Sequence, residues 1–390
     1  MNSNEIIKIS DENLMPTYAH FNLALSHGKG AKLYDFSDKE YIDFTSGIGV
    51  NSLGICNDGW VKAVSEQAAT LQHTSNLYYT QPAAELSAEL CKRTGMGAVF
   101  FGNSGAEANE CAIKLARKYS SDKYGENRGT VVTLVNSFHG RTLATVKATG
   151  QEVFHKYFYP FPGGFEYTSA NDAQQLEKAL NDNVCALIVE IVQGEGGVLP
   201  LDADFVCKAQ ELCKEKDILF IVDEVQTGIG RTGKLFAYEN YGLEPDVVTS
   251  AKGLGGGLPI GACLCSKELA GVMSAGTHGS TYGGNPVVCA GANEVIKNIT
   301  EEFLGEVKKK GEYLKSKLLE IPEITQVRGM GLMLGASLKN KVAKEVVAAC
   351  IENGVLVLTA KDSLRFLPPL TITYDEIDEG VKRLSEILNA

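Results

Sequence analysis

Between Ala98 and Cys265 the chain repeats one pattern: a short, nearly continuous apolar run, a polar or glycine-rich turn, then an amphipathic stretch. The runs are Ala98–Phe101, Val131–Val135, Ala186–Val189, Ile218–Val222, Asp246–Thr249 and Ala262–Cys265. Runs this short, without polar alternation and rich in β-branched side chains, read as strands buried on both faces of a parallel sheet. Helical patterns lie between them at Glu107–Tyr119, Ala173–Leu180 and Ala203–Lys216. That alternation predicts the α/β class. Past Pro286 the pattern changes. Helices are expected over Cys289–Ile299, Glu302–Leu319, Val342–Glu352 and Asp375–Leu388, with strands at Leu332–Leu334 and Val355–Leu358. The expected organisation is an N-terminal segment (1–50) packing with a smaller α+β domain (287–390), and a large, mainly parallel-sheet domain (51–286) that holds the site. A chain of 390 residues suits such a division.

Composition narrows the function classes. The formal net charge is −11, so the basic footprint of a nucleic-acid binder is absent. No apolar run approaches membrane-spanning length. The ten cysteines include no C-x-x-C and mostly sit in apolar stretches, which reads as buried free thiols in a reducing compartment. The opening MNSNEIIKISDEN has neither a basic nor an apolar signal region, so the expected location is the cytoplasm. None of the six histidines forms H-x-x-x-H, and no catalytic metal is expected.

In open α/β sheets a ligand lies at the carboxyl ends of the strands. Here each of five runs delivers polar or glycine residues to that edge. Ser104-Gly105-Ala106-Glu107 follows the first run and opens a helix. The Ser104/Glu107 spacing fits a capping box; the same backbone N–H groups and positive helix end also suit a phosphate. Asp223 ends the very apolar ILFIVD, where a carboxylate is costly unless it meets a cation or donors. A protonated ring nitrogen, loop amides and a metal are all possible partners for it. Glu224 beside it reads as solvated or paired nearby. Lys252 follows the fifth run and precedes a glycine run, which leaves room for an adduct on its amine. A lysine kept neutral in a shielded site is a good nucleophile toward carbonyls.

Two arginines are candidates for anionic substrates. Arg141 follows Phe138-His139-Gly140, and Arg365 sits in the apolar LRFLPPL. Arg forks match carboxylates with two parallel bonds. An internal salt bridge is the competing role for Arg365, with Glu195 as its partner. His139 reads as structural rather than as a general base, and Phe138 as either core or a stacking surface.

Two rival readings are weaker. Gly228–Leu235 nearly matches a P-loop, but Leu235 replaces the hydroxyl that would reach Mg²⁺, and ILFIVD leads into the loop instead of following it. A nucleotide hydrolase is therefore disfavoured. A non-catalytic binding protein has no need of polar residues at five strand ends.

Taken together, FGNSGAEANE, NSFHGRT, VEIVQGEGG, IVDEVQTGIGRTG, SAKGLGGGLPIGA and GTHGSTYGGNPVVCA resemble the class-III (subgroup II) aminotransferases along nearly the whole chain. The resemblance implies a fold type I enzyme that uses pyridoxal 5'-phosphate (PLP), a homodimer with sites at the subunit interface. It implies Lys252 as the Schiff-base lysine, Asp223 on the ring nitrogen and Gln226 near the ring hydroxyl. Phe138 and Val225 would cover the two ring faces. Ser104, Gly105 and Ala106 would bind phosphate, with Thr281 and Ser280 reaching in from the other subunit. Arg141 would take the α-carboxylate of the amino donor. Arg365, released from Glu195, would take that of glutamate or 2-oxoglutarate. Tyr18 would line the substrate site, although relatives often carry Gly-Arg after this tyrosine where this chain has Ala19-His20. The implied reaction moves the δ-amino group of N2-acetylornithine to 2-oxoglutarate. Succinyldiaminopimelate, ornithine and 4-aminobutyrate are the alternative donors.

Overall fold

Each of the six expected runs forms a strand in the computed structural model, which describes residues 1–389. Three strands precede them: β1 (Leu25–Lys29), β2 (Lys32–Asp35) and β3 (Glu40–Asp43). The central region supplies β4 (Ala98–Gly102), β5 (Thr130–Leu134), β6 (Phe165–Thr168), β7 (Val184–Val189), the short β8 (Val192–Gln193) and β9 (Leu199–Pro200), then β10 (Leu219–Asp223), β11 (Val247–Ser250) and β12 (Gly261–Cys265). The C-terminal region supplies β13 (Ile324–Met330), β14 (Met333–Leu338), β15 (Val355–Leu356), β16 (Leu358–Ala360) and β17 (Ser363–Phe366).

The large sheet has seven strands in the order β4-β12-β11-β10-β7-β5-β6. All its pairings are parallel except those of β12, which runs antiparallel to both β11 and β4. Strands β7, β10, β11 and β12 are buried at every residue. This explains their unbroken apolar runs: helices such as Gly105–Tyr124 and Ala203–Glu215 cover the faces. Because only β12 is reversed, its amino end lies at the same edge as the carboxyl ends of its neighbours. The chain leaves β11 at Ser250 and returns into β12 at Gly261 on that edge, carrying Lys252 between them.

Two smaller sheets flank this layer, β1-β2-β3-β15 and β13-β14-β17-β16. The expected single strand Val355–Leu358 is divided between them. Val355 and Leu356 pair with Ile42 and Asp43 of β3, while Leu358 pairs with Arg365 of β17. An apolar run marks burial but not which sheet supplies the hydrogen bonds, so the switch at Val357 leaves no trace in the sequence. All ten cysteines are free; Cys56 and Cys207 are exposed and most of the others are buried. Among the described residues no helix is long and apolar enough to cross a membrane.

Candidate active site

A cavity of about 450 Å³ opens at the carboxyl edge of the large sheet. Its lining brings together Ser104, Gly105, Ala106, Phe138, Arg141, Asp223, Val225, Gln226 and Lys252. These residues come from separate turns, so the sheet is what assembles them. Glu195 and Arg365 form a pair of their own, joined to this set through Gln226, which lines the cavity. Tyr18 stands 76% exposed, its ring stacked on His20. Thr281 is exposed on the loop after Gly276 and lies outside the cavity lining in the single chain.

The anion end is built at the start of the helix Gly105–Tyr124. Ser104 Oγ accepts the Glu107 amide at 3.2 Å. The expected reciprocal bond is shifted by one residue: the Glu107 carboxylate takes the amide and side chain of Asn103 rather than the amide of Ser104. Asn103 Nδ2 also donates to Ser280 Oγ at 3.1 Å, which places Ser280 beside this turn. A Cβ on Gly105 would lie 2.7 Å from Val225 Cγ1, so only glycine lets this helix start approach the Val225 wall.

Asp223 anchors a buried hydrogen-bonded network in which His139 Nε2 has no partner among the described residues. Its Oδ2 accepts Asn109 Nδ2 and His139 Nδ1, both at 2.7 Å, and its Oδ1 accepts the Val225 amide at 3.0 Å. Asn109 is itself held by Thr249 Oγ1 at 2.7 Å. Burial works to lower the His139 pKa, but the bond to Asp223 and its charge outweigh burial and raise it. A carboxylate anchored this way is preorganised to meet a cationic ring nitrogen without moving. His139 is buried and bonded to Asp223. Glu224 is neither solvated nor at the surface. It is fully buried, accepts the Tyr238 amide at 2.8 Å and the Thr227 hydroxyl, and burial pushes its pKa up to about 7.

Lys252 has φ +41, a left-handed backbone, and its side chain lines the cavity. Burial lowers its pKa, Glu195 opposing. A neutral amine is thereby favoured, as a nucleophile or base requires. Arg141 has no carboxylate on it among the described residues. Its guanidinium lies 4.2 Å from the Phe154 ring centroid and 5.5 Å from that of Phe138. It is a free cation on an aromatic seat. Arg365 is different: Nη1 donates to Glu195 Oε1 at 2.6 Å and to Gln226 Oε1 at 3.3 Å, while the buried Nε has no partner. Burial would raise the Glu195 pKa, yet Arg365 outweighs it and holds the carboxyl below its ordinary value.

Asn109, Thr249 and Glu190 have no role that is legible from the sequence alone. Asn109 is a polar residue buried on a helix among the mainly apolar Ala108, Cys111, Ala112, Ile113, Leu115 and Ala116, a signal of an internal partner. Glu190 follows the fully apolar β7 as Asp223 ends β10. It is buried against the Phe138 and Gly194 amides, and burial raises its pKa to about 7.

Known proteins similar to this chain are numerous. The family profile "Aminotransferase class-III" matches residues 14–388. Acetylornithine aminotransferase of Haemophilus ducreyi is 51% identical over 391 residues, covering 100% of both chains. The crystal structure of N-acetylornithine aminotransferase from Stenotrophomonas maltophilia superposes with a TM-score of 0.85 at 36% identity, covering 98% of each chain. An ornithine aminotransferase structure from Toxoplasma gondii superposes with a TM-score of 0.93 at 32% identity, covering 99% of this chain and 94% of its own, and is described as having partial occupancy of PLP at the active site.

Proposed function

The chain belongs to the class-III aminotransferase family, and from that premise we propose that it moves the δ-amino group of N2-acetylornithine to 2-oxoglutarate, giving N-acetylglutamate 5-semialdehyde and glutamate. The cofactor of this family is PLP. The cavity fits it: a helix start for the phosphate, an anchored carboxylate for the ring nitrogen, Phe138 and Val225 as walls and a lysine amine at the far end. When bound, PLP carries the amino group between the two substrates and stabilises the negative charge left when a proton departs.

The chain's own residues supply the rest. Asp223, held in place by Asn109 and His139, would meet the ring nitrogen. Lys252 Nζ, whose pKa burial lowers, would take the proton from the substrate carbon that bears the amine and deliver it to the cofactor carbon that receives the amino group, work that contributes roughly 10²–10⁴-fold. Arg141 binds the donor's single carboxylate. The carrying observation is the Arg365–Glu195 pair, a cation site closed by an internal carboxylate. A monocarboxylate donor leaves it closed. 2-Oxoglutarate, with a second carboxylate, takes the place of Glu195 on Arg365. One cavity thus serves two substrates of different charge.

We further infer a homodimer. Leu77, Tyr78, Tyr79 and Tyr282 are all exposed, and Asn76 ties their two segments together by donating to the Ser280 and Gly283 carbonyls. An apolar face of this kind suits a second copy, and it carries Ser280 and Thr281. The unpaired thiols support a cytoplasmic location.

The test is kinetic. With 2-oxoglutarate as acceptor, kcat/KM is expected to be highest for acetylornithine among acetylornithine, ornithine, succinyldiaminopimelate and 4-aminobutyrate, with parallel double-reciprocal lines. A large excess for ornithine overturns the donor assignment; intersecting lines overturn the shared site.

A further inference from the structure

Arg231 is among the largest fully buried side chains of the molecule, 2% exposed, and no step above uses it. It lies in the glycine-rich stretch Gly228–Leu235 that reads as a near P-loop. There it holds no anion. Nη1 donates to the Leu332 carbonyl at 3.0 Å and to the Pro368 carbonyl. Nη2 lies 3.5 Å from Ser46 Oγ, and that hydroxyl donates to the Leu367 carbonyl at 2.6 Å. The Arg231 carbonyl in turn accepts the Leu332 amide at 2.9 Å. Asp43 is the acid nearest in effect, but Thr45 and Ser46 take its Oδ1, its buried Oδ2 has no hydrogen-bond partner among the described residues, and it makes no ion pair with Arg231. Burial pulls the Arg231 pKa down to about 9, with Asp43 opposing.

Three segments therefore meet on one rigid fork. Leu332 enters β14 and Leu367–Pro368 leave β17, and these two strands are antiparallel partners with Gly335 opposite Arg365. Ser46 belongs to the N-terminal segment, and Ser52, just past its end, donates its hydroxyl at 2.9 Å to the carbonyl of Gly253, the residue after Lys252. The guanidinium thus grips the strand pair two to three residues from Arg365, and the segment it also touches reaches the lysine turn. Five donors fixed in a plane set direction as well as contact, which a lysine cannot imitate.

We propose that Arg231 is a positioning residue for the dicarboxylate half of the site: by holding Leu332, Pro368 and, through Ser46, Leu367, it fixes where Arg365 stands relative to Glu195 and Lys252. The inference rests on the reading of Arg365 as the carboxylate site. A mere stability clasp would lower stability without shifting the KM of one substrate against that of the other.

The test uses the holoenzyme carrying Arg231→Lys, Ser46→Ala or Arg365→Gln. Glutarate, a five-carbon dicarboxylate with no amino or keto group, is the probe for calorimetric binding. KM for 2-oxoglutarate and for the amino donor is measured beside it. Arg231→Lys should weaken glutarate binding and raise the 2-oxoglutarate KM by roughly 5–50-fold, and Ser46→Ala by roughly 2–5-fold, with the donor KM within about twofold, since small misplacements of a positioned group carry penalties of this order. If Arg231→Lys does not fold, Ser46→Ala decides. Unchanged glutarate binding, or an equal rise in both KM values, overturns the proposal. Arg365→Gln separates the two readings. Intact glutarate binding in that variant overturns the role of Arg365 and this inference with it. Weak binding there, with normal binding in Arg231→Lys and Ser46→Ala, overturns this inference alone.

Discussion

Replacing Glu195 with Gln should make 2-oxoglutarate bind more tightly, the opposite of what the loss of a site residue usually does. In the wild type the dicarboxylate must displace Glu195 from an Arg365 side chain that is only 4% exposed. Two unit charges about 4 Å apart attract by about 4 kcal/mol at an effective dielectric of about 20. Glu195 is 30% exposed, so solvent screens the pair, and about 1–2 kcal/mol is a sober share. At about 1.4 kcal/mol per tenfold, the variant's KM for 2-oxoglutarate falls by ~5–30-fold. The donor should suffer, because an open Arg365 now competes with Arg141 for its carboxylate. Stability should fall too, with Gln226 left as the neighbouring acceptor at 3.3 Å. Burial works to raise the Glu195 pKa, but Arg365 holds it below the ordinary 4.5. A depressed carboxylate contributes fully above its ordinary value and loses that contribution as pH falls through the depressed one. The difference between variant and wild type is therefore flat from about pH 6 to about pH 8. Stopped-flow measurement of each half-reaction against substrate concentration checks this. An unchanged or higher 2-oxoglutarate KM in a folded Glu195→Gln refutes the closed-gate argument.

Further outcomes follow from the same geometry. Lys252→Met abolishes transamination but makes the cofactor-free protein more stable at neutral pH. The folded lysine has a lowered pKa, so its charge costs stability below the ordinary 10.5, and the gain vanishes above that pH; denaturant melts of both proteins at neutral and strongly alkaline pH test the sign. Asp223→Asn keeps shape and removes charge, and turnover should fall by ~10²–10³-fold, the scale of losing one preorganised electrostatic contact; a loss below about tenfold counts against its pairing with a cationic ring nitrogen. Gly105→Ala forces Val225 into the cavity and should cost about 1–3 kcal/mol of cofactor binding by overpacking, with rescue by Val225→Ala; dialysis followed by the cofactor's absorbance reads both.

The parts of this site that could be read from sequence share one property: each is a polar residue placed where an apolar strand ends. Asp223, Lys252, the Ser104 turn and Arg141 all stand on such junctions, and even the Arg365–Glu195 pair follows from the cost of an unpaired guanidinium in LRFLPPL. What stayed hidden depends on contacts between distant elements. Nothing near Thr249 or Asn109 in the chain says that they meet, because strand order brings them together. The burial of Glu224 escaped for the same reason: its partners Thr227 and Tyr238 are reached only once the following loop folds back. The direction of β12 was equally invisible, since a buried strand reads alike in either sense.

In the large sheet β4 is joined only through the reversed β12, whose Gly261 pairs with Gly102 about 160 residues earlier in sequence. A Cβ at 261 would stand 2.1 Å from the Ser104 carbonyl oxygen, so the anion turn fits against that strand and nothing else. A chain still being synthesised, or caught part-way through refolding, can hold Asp223 in its parallel strands and yet own no bed for a phosphate. The bed for a phosphate therefore exists only where this pair, about 160 residues apart in sequence, has closed.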